Sequence, residues 1–95
     1  MPKAYVVFTE TIRDAAGMEA YGAKAIPTIM QAATILAADE NPTVLEGDWP
    51  GQRTVVLEFE SADAARAWYD SSEYQAAIPL RRAAAEANVV IITGL

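Results

Sequence analysis

Apolar β-branched and aromatic residues mark the segments that the sequence predicts as β-strands. Ala4–Thr9, Arg53–Glu60 and Val89–Thr93 are rich in Val, Ile, Phe or Tyr, a composition typical of strands. Thr34–Ala37 predicts a shorter strand, and Thr43–Glu46 a further extended piece. The chain is therefore expected to contain a sheet of four main strands.

A long helix is predicted after the first strand. Asp14 is a favourable N-cap residue for a helix from about Ala15 to Ala33, where apolar residues recur along one broad face. Pro27 lies inside this helix and Pro79 inside a later one, and each is expected to kink its helix because proline removes a backbone hydrogen bond.

A second helical region, in two pieces, is predicted between the third and fourth strands. Ser61 is the expected N-cap of a helix covering Ala62–Asp70. Ser72, followed three residues later by Gln75, predicts a capping box and a further helix that runs to about Ala87. The element order is then βαββαβ, which predicts one α+β domain over residues 1–95 with a ferredoxin-like, four-stranded antiparallel sheet.

Both faces of the predicted sheet are apolar, and this predicts a homodimer. A strand with one solvated face alternates apolar and polar residues, whereas Tyr5 and Val7 here alternate with Val6 and Phe8. Two helical regions cover only one face of a four-stranded sheet. A second copy of the sheet is the simplest cover for the other face, and the alternative is a monomer with an unusually apolar open face.

Composition excludes several classes of function. The net charge of −6 argues against nucleic acid and anionic membranes as partners, since both need clustered Lys and Arg. The chain has no Cys and no His, which removes disulfides, His-ligated haem, common zinc sites and His-based triads. We therefore expect no cofactor and no metal, and acid–base chemistry that uses Asp, Glu, Tyr, Lys or water. Without a signal peptide or an apolar span, the expected location is the cytoplasm.

A polar cluster before the third strand is the first candidate site. A Pro-Gly turn is flanked by Glu46, Asp48, Trp49 and Arg53. These residues suit a small polar ligand, a proton transfer, or a structural hairpin with an ion pair. Because a hairpin folds its arms together, Arg53 is predicted to pair with Asp48 or Glu46. It is predicted not to pair with Glu58, which lies on the opposite face of the strand.

Three further features are candidates for chemistry. Glu58 is either a carboxyl with a raised pKa or a member of an ion pair. Tyr69 and Tyr74, near the break in the second helical region, suit either a pocket or the core. Arg81 and Arg82 suit either an anionic ligand or a solvated surface.

The sequence closely resembles the family of domain of unknown function 1330. The resemblance spans the chain, with a weaker C-terminal part, and is carried most strongly by Leu45-Glu46-Gly47-Asp48-Trp49-Pro50, Arg53, Val55-Val56-Leu57-Glu58-Phe59, Ala64-Ala65-Arg66-Ala67-Trp68-Tyr69-Asp70-Ser71 and Glu73-Tyr74-Gln75. It implies the dimeric α+β barrel superfamily, whose relatives include cofactor-free monooxygenases, isomerases and haem enzymes. The sequence departs from the family at Ala32-Ala33, where Gly-Gly is usual, and at Ser72, where Pro is frequent.

The leading functional hypothesis is a homodimer that binds a small molecule, and the sequence leaves open whether it is an enzyme; a monooxygenase-like or isomerase-like activity without metal or haem is the enzymatic form of this hypothesis. Its pocket is expected between helices and sheet. Candidate ligand-binding residues are Asp48, Trp49, Arg53, Glu58, Tyr69 and Tyr74. The alternative is a non-catalytic ligand-binding or protein-interaction module; an ionisable group inside a cavity favours the enzyme, and a filled core favours the module.

Overall fold

A four-stranded antiparallel sheet with three helices packed on one face forms the molecule. The computed structural model describes residues 2–95. The elements are β1 (Ala4–Ile12), α1 (Ala15–Ala32), β2 (Thr34–Asp39), β3 (Arg53–Phe59), α2 (Ala62–Asp70), α3 (Ser72–Ala84) and β4 (Ala85–Thr93). The strand order is β2-β3-β1-β4, so the predicted ferredoxin-like fold is confirmed. None of the helices in residues 2–95 is long and apolar enough to cross a bilayer.

Strand register separates the side chains of the sheet into two faces. Val6 is opposite both Leu57 and Ile91, and this face packs against the helices, where Val6 and Leu57 are almost fully buried. Val7 is opposite both Val56 and Val90. These three residues lie on the face without helices, which is the open face of the sheet. The predicted presence of apolar side chains on both faces is therefore confirmed.

The strands β1 and β4 are longer than the sequence pattern predicts. β1 continues to Ile12, and β4 begins at Ala85 rather than Val89. The predicted end of the last helix near Ala87 is wrong, because α3 ends at Ala84. Alanine favours helix, but pairing of Ala85 and Glu86 with the end of β1 overrides that preference.

The cap of α3 also differs from the prediction. Ser71, and not Ser72, is the N-cap: its Oγ accepts a hydrogen bond from the Tyr74 backbone N–H at 3.3 Å. Gln75 does not complete a capping box with Ser72; its side-chain amide donates to the Tyr69 carbonyl at 2.7 Å. Ser71 also ends α2, so one residue forms the whole junction between two helices.

Residues 40–52 form a connection without a strand, so the extended piece predicted at Thr43–Glu46 is not a strand. Gly51 in this connection has φ +84°, as the third position of the predicted turn requires. The end of α1 needs no glycine. Ala33 adopts an extended conformation there, and its backbone N–H donates to the Ile29 carbonyl.

Candidate functional site

A cleft of about 760 Å³ lies between α1 and the β1–β3–β2 side of the sheet. Its walls are mostly apolar: Met18, Ile26 and Ile29 come from α1, and Val55 and Leu57 from β3. The polar side chains in the lining are those of Glu10, Glu19, Tyr21, Glu40 and Arg53. An apolar cleft with a few convergent polar groups is the usual form of a small-molecule site.

Glu10 is the buried ionisable group of this cleft. It follows Val6 and Phe8 on the helix-covered face of β1 and is only 2% exposed. Burial raises the pKa of its carboxyl above the ordinary value of 4.5, and the guanidiniums of Arg53 and Arg81 offset part of that rise. A buried carboxyl whose pKa is raised is a candidate acid or base.

Arg53 lies opposite Glu10 across the β1–β3 pair. Its Nε is 3.8 Å from Glu10 Oε1 and 3.5 Å from Glu40 Oε1. The predicted pairing with Asp48 or Glu46 is therefore wrong. Strand alternation turns Arg53 toward the helices, whereas both of those acids are exposed in the connection before β3.

The turn before β3 is fixed against the backbone of Glu10. The Gln52 backbone N–H donates to the Glu10 carbonyl at 2.8 Å. A Cβ on Gly51 would lie 2.8 Å from the N, C and O atoms of Glu10, closer than carbon packs. Glycine at position 51 therefore allows this turn to hold Arg53 next to the carboxyl.

Tyr21 extends the polar part of the cleft into the core. Its hydroxyl is 2.7 Å from the hydroxyl of Tyr74, which is fully buried. Burial raises the pKa of both phenols, so both stay protonated at neutral pH. Tyr74 thus belongs to the core and supports the cleft through Tyr21.

The structure does not bring the candidate ligand-binding residues together. Of the six residues predicted from the sequence, Arg53 lines the α1 cleft and the other five do not. Glu58 is on the open face, where its carboxylate is 3.5 Å from Lys3 Nζ, so its ion-pair interpretation holds and Arg53 does not contact it. Trp49 donates from Nε1 to Thr54 Oγ1 at 2.9 Å, and Asp48 is exposed beside it.

Tyr69, Arg81 and Arg82 line a different cleft, beside β4. Arg81 is 4% exposed, so the solvated-surface interpretation is wrong for this residue. Within residues 2–95, no group of three or more acidic side chains is placed to hold a metal ion.

Sequence reasoning missed Glu10, Tyr21 and Glu40. A signal for Glu10 existed: it continues the alternation of Ala4, Val6 and Phe8, which the structure buries. Ending the predicted strand at Thr9 hid that relationship. Glu40 carries no comparable signal, because only the β2–β3 pairing brings it to Arg53.

A family model matches residues 3–95, almost the whole chain, and its description is Domain of unknown function (DUF1330). This chain belongs to the DUF1330 family. The resemblance seen in the sequence is thereby confirmed, and no curated protein matches the chain.

Solved structures with low sequence identity share the DUF1330 fold seen here. A protein of unknown function from Rhodopseudomonas palustris is 17% identical with a TM-score of 0.81, covering 99% of this chain and 83% of that one. SnoaB of Streptomyces nogalater is described as a cofactor-independent oxygenase. It is 14% identical with a TM-score of 0.71, and the match covers 100% of this chain and 95% of SnoaB. A dimeric ferredoxin-like protein of unknown function from Jannaschia sp. CCS1 is 13% identical with a TM-score of 0.68, covering 95% and 97%.

Proposed function

We propose that this DUF1330 protein is a homodimeric enzyme that binds an apolar small molecule in the α1 cleft and exchanges a proton with it through Glu10. The observation that carries the proposal is a 2% exposed carboxyl at the polar end of an apolar cleft. A non-catalytic binding module is the alternative. A non-catalytic module has no use for a buried carboxyl with a raised pKa, because ionisation of such a group lowers the free energy of unfolding.

The proposed step is removal of a proton either from a C–H group next to a carbonyl or from an O–H group on an aromatic ring. The proton moves to a carboxylate oxygen of Glu10, and the electron pair stays on the ligand as an enolate or phenolate. Arg53 Nε, 3.8 Å from Glu10 Oε1, supplies positive charge beside that anion. Return of the proton to a different carbon completes an isomerisation and requires neither metal nor haem.

The structural similarity to SnoaB is consistent with the same proton removal as the first step of a different reaction, an oxygenation. SnoaB is described as a cofactor-independent oxygenase, and oxygenation without a cofactor begins from an electron-rich anion of the substrate that reacts with dioxygen. Fold similarity does not transfer a reaction, so we assign to this chain only the proton transfer that isomerisation and oxygenation have in common.

The open face supports the homodimer. Val90 and Ile92 on β4 are 51% and 50% exposed, and they continue an apolar surface with Val7 and Val56. Trp49 is 48% exposed and is fixed at the edge of this surface by its bond to Thr54. We propose that a second copy covers the open face, as the description of the Jannaschia relative as dimeric suggests, with Trp49 and Glu58 at the interface.

The test begins with a thermal-shift screen of phenols, quinols and β,γ-unsaturated ketones against the purified protein. For a compound that binds, NMR in D₂O follows exchange of its acidic C–H. Wild type is expected to accelerate the exchange. Glu10→Gln is expected to bind the compound and to exchange it about 100-fold more slowly or worse, in line with the usual contribution of a general base.

Glu60→Gln is the matched control, because this carboxylate is exposed and lies outside the cleft wall. It should exchange the ligand at the wild-type rate. Binding with no accelerated exchange in wild type would support the non-catalytic module instead. Equal exchange by wild type and Glu10→Gln would show that Glu10 is not the base.

A further inference from the structure

A second, separate cleft of about 510 Å³ lies between α2, α3 and β4. The residues that give it its chemistry are Arg13, Tyr69, Arg81, Arg82 and Glu86. It shares no lining residue with the α1 cleft. The lining therefore includes three arginines and one glutamate, although the chain as a whole has a net charge of −6.

Arg81 is the unusual member of this group. Its residue is 4% exposed, and its guanidinium carbon is 5.8 Å from the centroid of the Phe8 ring. Within residues 2–95, its buried Nε has no hydrogen-bond acceptor. An unpaired, charged donor in a buried position is costly, so an acceptor that enters the cleft would relieve that cost.

The rim of the cleft carries the other charges. Arg82 is exposed on the last turn of α3. Arg13 Nη1 is 2.9 Å from Glu86 Oε1, which leaves the other nitrogen atoms of its guanidinium available. Tyr69 adds a hydroxyl to the same wall. Guanidinium forks and a phenol form the donor set that recognises oxyanions.

We propose that this cleft is a binding site for a small oxyanion, a carboxylate or phosphate group, held by Arg81 from within and by Arg13 and Arg82 at the rim. The lining of this cleft comes from α2, α3, β4 and Arg13, so occupancy there requires no ligand in the α1 cleft. Arg81 also lowers the pKa of the Glu10 carboxyl, so an anion bound here is expected to act on Glu10 through this arginine.

Titration calorimetry with inorganic phosphate, and separately with acetate, tests the proposal at constant ionic strength set by chloride. Wild type should bind at least one of the two anions with one site per chain, and the stronger response identifies the group preferred. Arg82→Gln and Arg13→Gln should each weaken that binding by roughly 10-fold or more, because a charge-assisted bond is lost. Arg66→Gln is the control, because Arg66 is exposed and pairs with Asp70 on α2; its binding should match wild type.

Arg81 is tested without substitution, because replacing a buried residue risks unfolding the chain. In ¹⁵N-labelled wild type, the Nε–H resonance of Arg81 should shift saturably with the added anion, while that of Arg66 stays in place. Absence of saturable binding by both anions would overturn the proposal. So would equal weakening in Arg66→Gln, or an Arg81 resonance that does not respond.

Discussion

Glu10 and Arg53 form a cross-strand pair on the buried face of a sheet. Glutamate and arginine are common on protein surfaces, but strand alternation directs these two side chains toward the helices. Desolvation acts on the Glu10 carboxyl more strongly than the nearby Arg53 and Arg81 guanidiniums, and its pKa rises. A raised carboxyl pKa has a direct consequence for stability.

Glu10 should make the protein less stable as the pH rises. Below about pH 4.5, its ordinary pKa, the carboxyl is protonated in both states. Above it, the unfolded chain releases the proton first, so the free energy of unfolding falls until the pH passes the raised pKa of the folded state. Urea denaturation of wild type and Glu10→Gln between pH 4 and 8 should show the stability of wild type falling relative to the variant. A constant difference would contradict the raised pKa.

Gly51 should be far less replaceable than Gly47. Both have positive φ, so alanine at either position costs about 1–2 kcal/mol from the left-handed backbone. A Cβ at Gly47 meets nothing within 4 Å, whereas one at Gly51 meets the Glu10 backbone. Chemical denaturation should therefore show Gly51→Ala to be destabilised by a further ~1–3 kcal/mol. Equal losses would mean that the turn moves away from Glu10 at little cost.

At the scale of elements, the junction between α2 and α3 depends on one serine. Ser71 Oγ donates to the Trp68 carbonyl at 2.7 Å and accepts from the Tyr74 backbone N–H. It therefore serves the end of one helix and the start of the next. Ser72 bonds only locally, to the adjacent Glu73 carboxylate.

Ser71→Ala should lower the free energy of unfolding by about 1–2 kcal/mol, because the N-cap acceptor of α3 is lost. Ser72→Ala, one residue away, should change it by less than ~0.5 kcal/mol, as is usual for exposed positions. Thermal and urea denaturation of the two variants measure the difference. A larger loss of stability in Ser72→Ala than in Ser71→Ala would instead support the capping box that the sequence predicts at Ser72.

At the scale of the whole molecule, the open face of the sheet lacks a covering layer of helices. The helices cover the face that carries Val6 and Leu57, and no element of residues 2–95 covers Val7, Val56 and Val90. A contiguous exposed apolar surface marks an interaction site.

Val90→Lys should convert the proposed dimer into a monomer. A lysine on the open face would bury a charge that has no partner when a second copy covers that face. Light scattering at micromolar concentration should give twice the 10.2 kDa chain mass for wild type and that mass for the variant. Met30→Lys, at a residue 65% exposed on α1, should remain dimeric. A monomeric wild type would refute the pairing of open faces.

Local pattern alone determined much of this protein. The βαββαβ order, the Asp14 and Ser61 caps, the Pro-Gly turn and the two apolar faces follow from side-chain periodicity and turn chemistry. These features depend on interactions between residues close in sequence, so the sequence alone predicts them. The family resemblance implies the same dimeric architecture that the two apolar faces predict, and it names no reaction.

Only the tertiary structure decided where the chemistry lies. Strand alternation places Glu10 on the buried face, but Glu10 and Glu40 meet Arg53 only through pairings between strands, so the sequence does not show that the three side chains come together. Arg81 resembles Arg82 in the sequence, yet burial separates them, because helix packing turns one guanidinium inward over Phe8 and leaves the other in solvent. Burial is a property of the assembled fold, and it is burial that raises the pKa of Glu10 and removes Arg81 Nε from solvent.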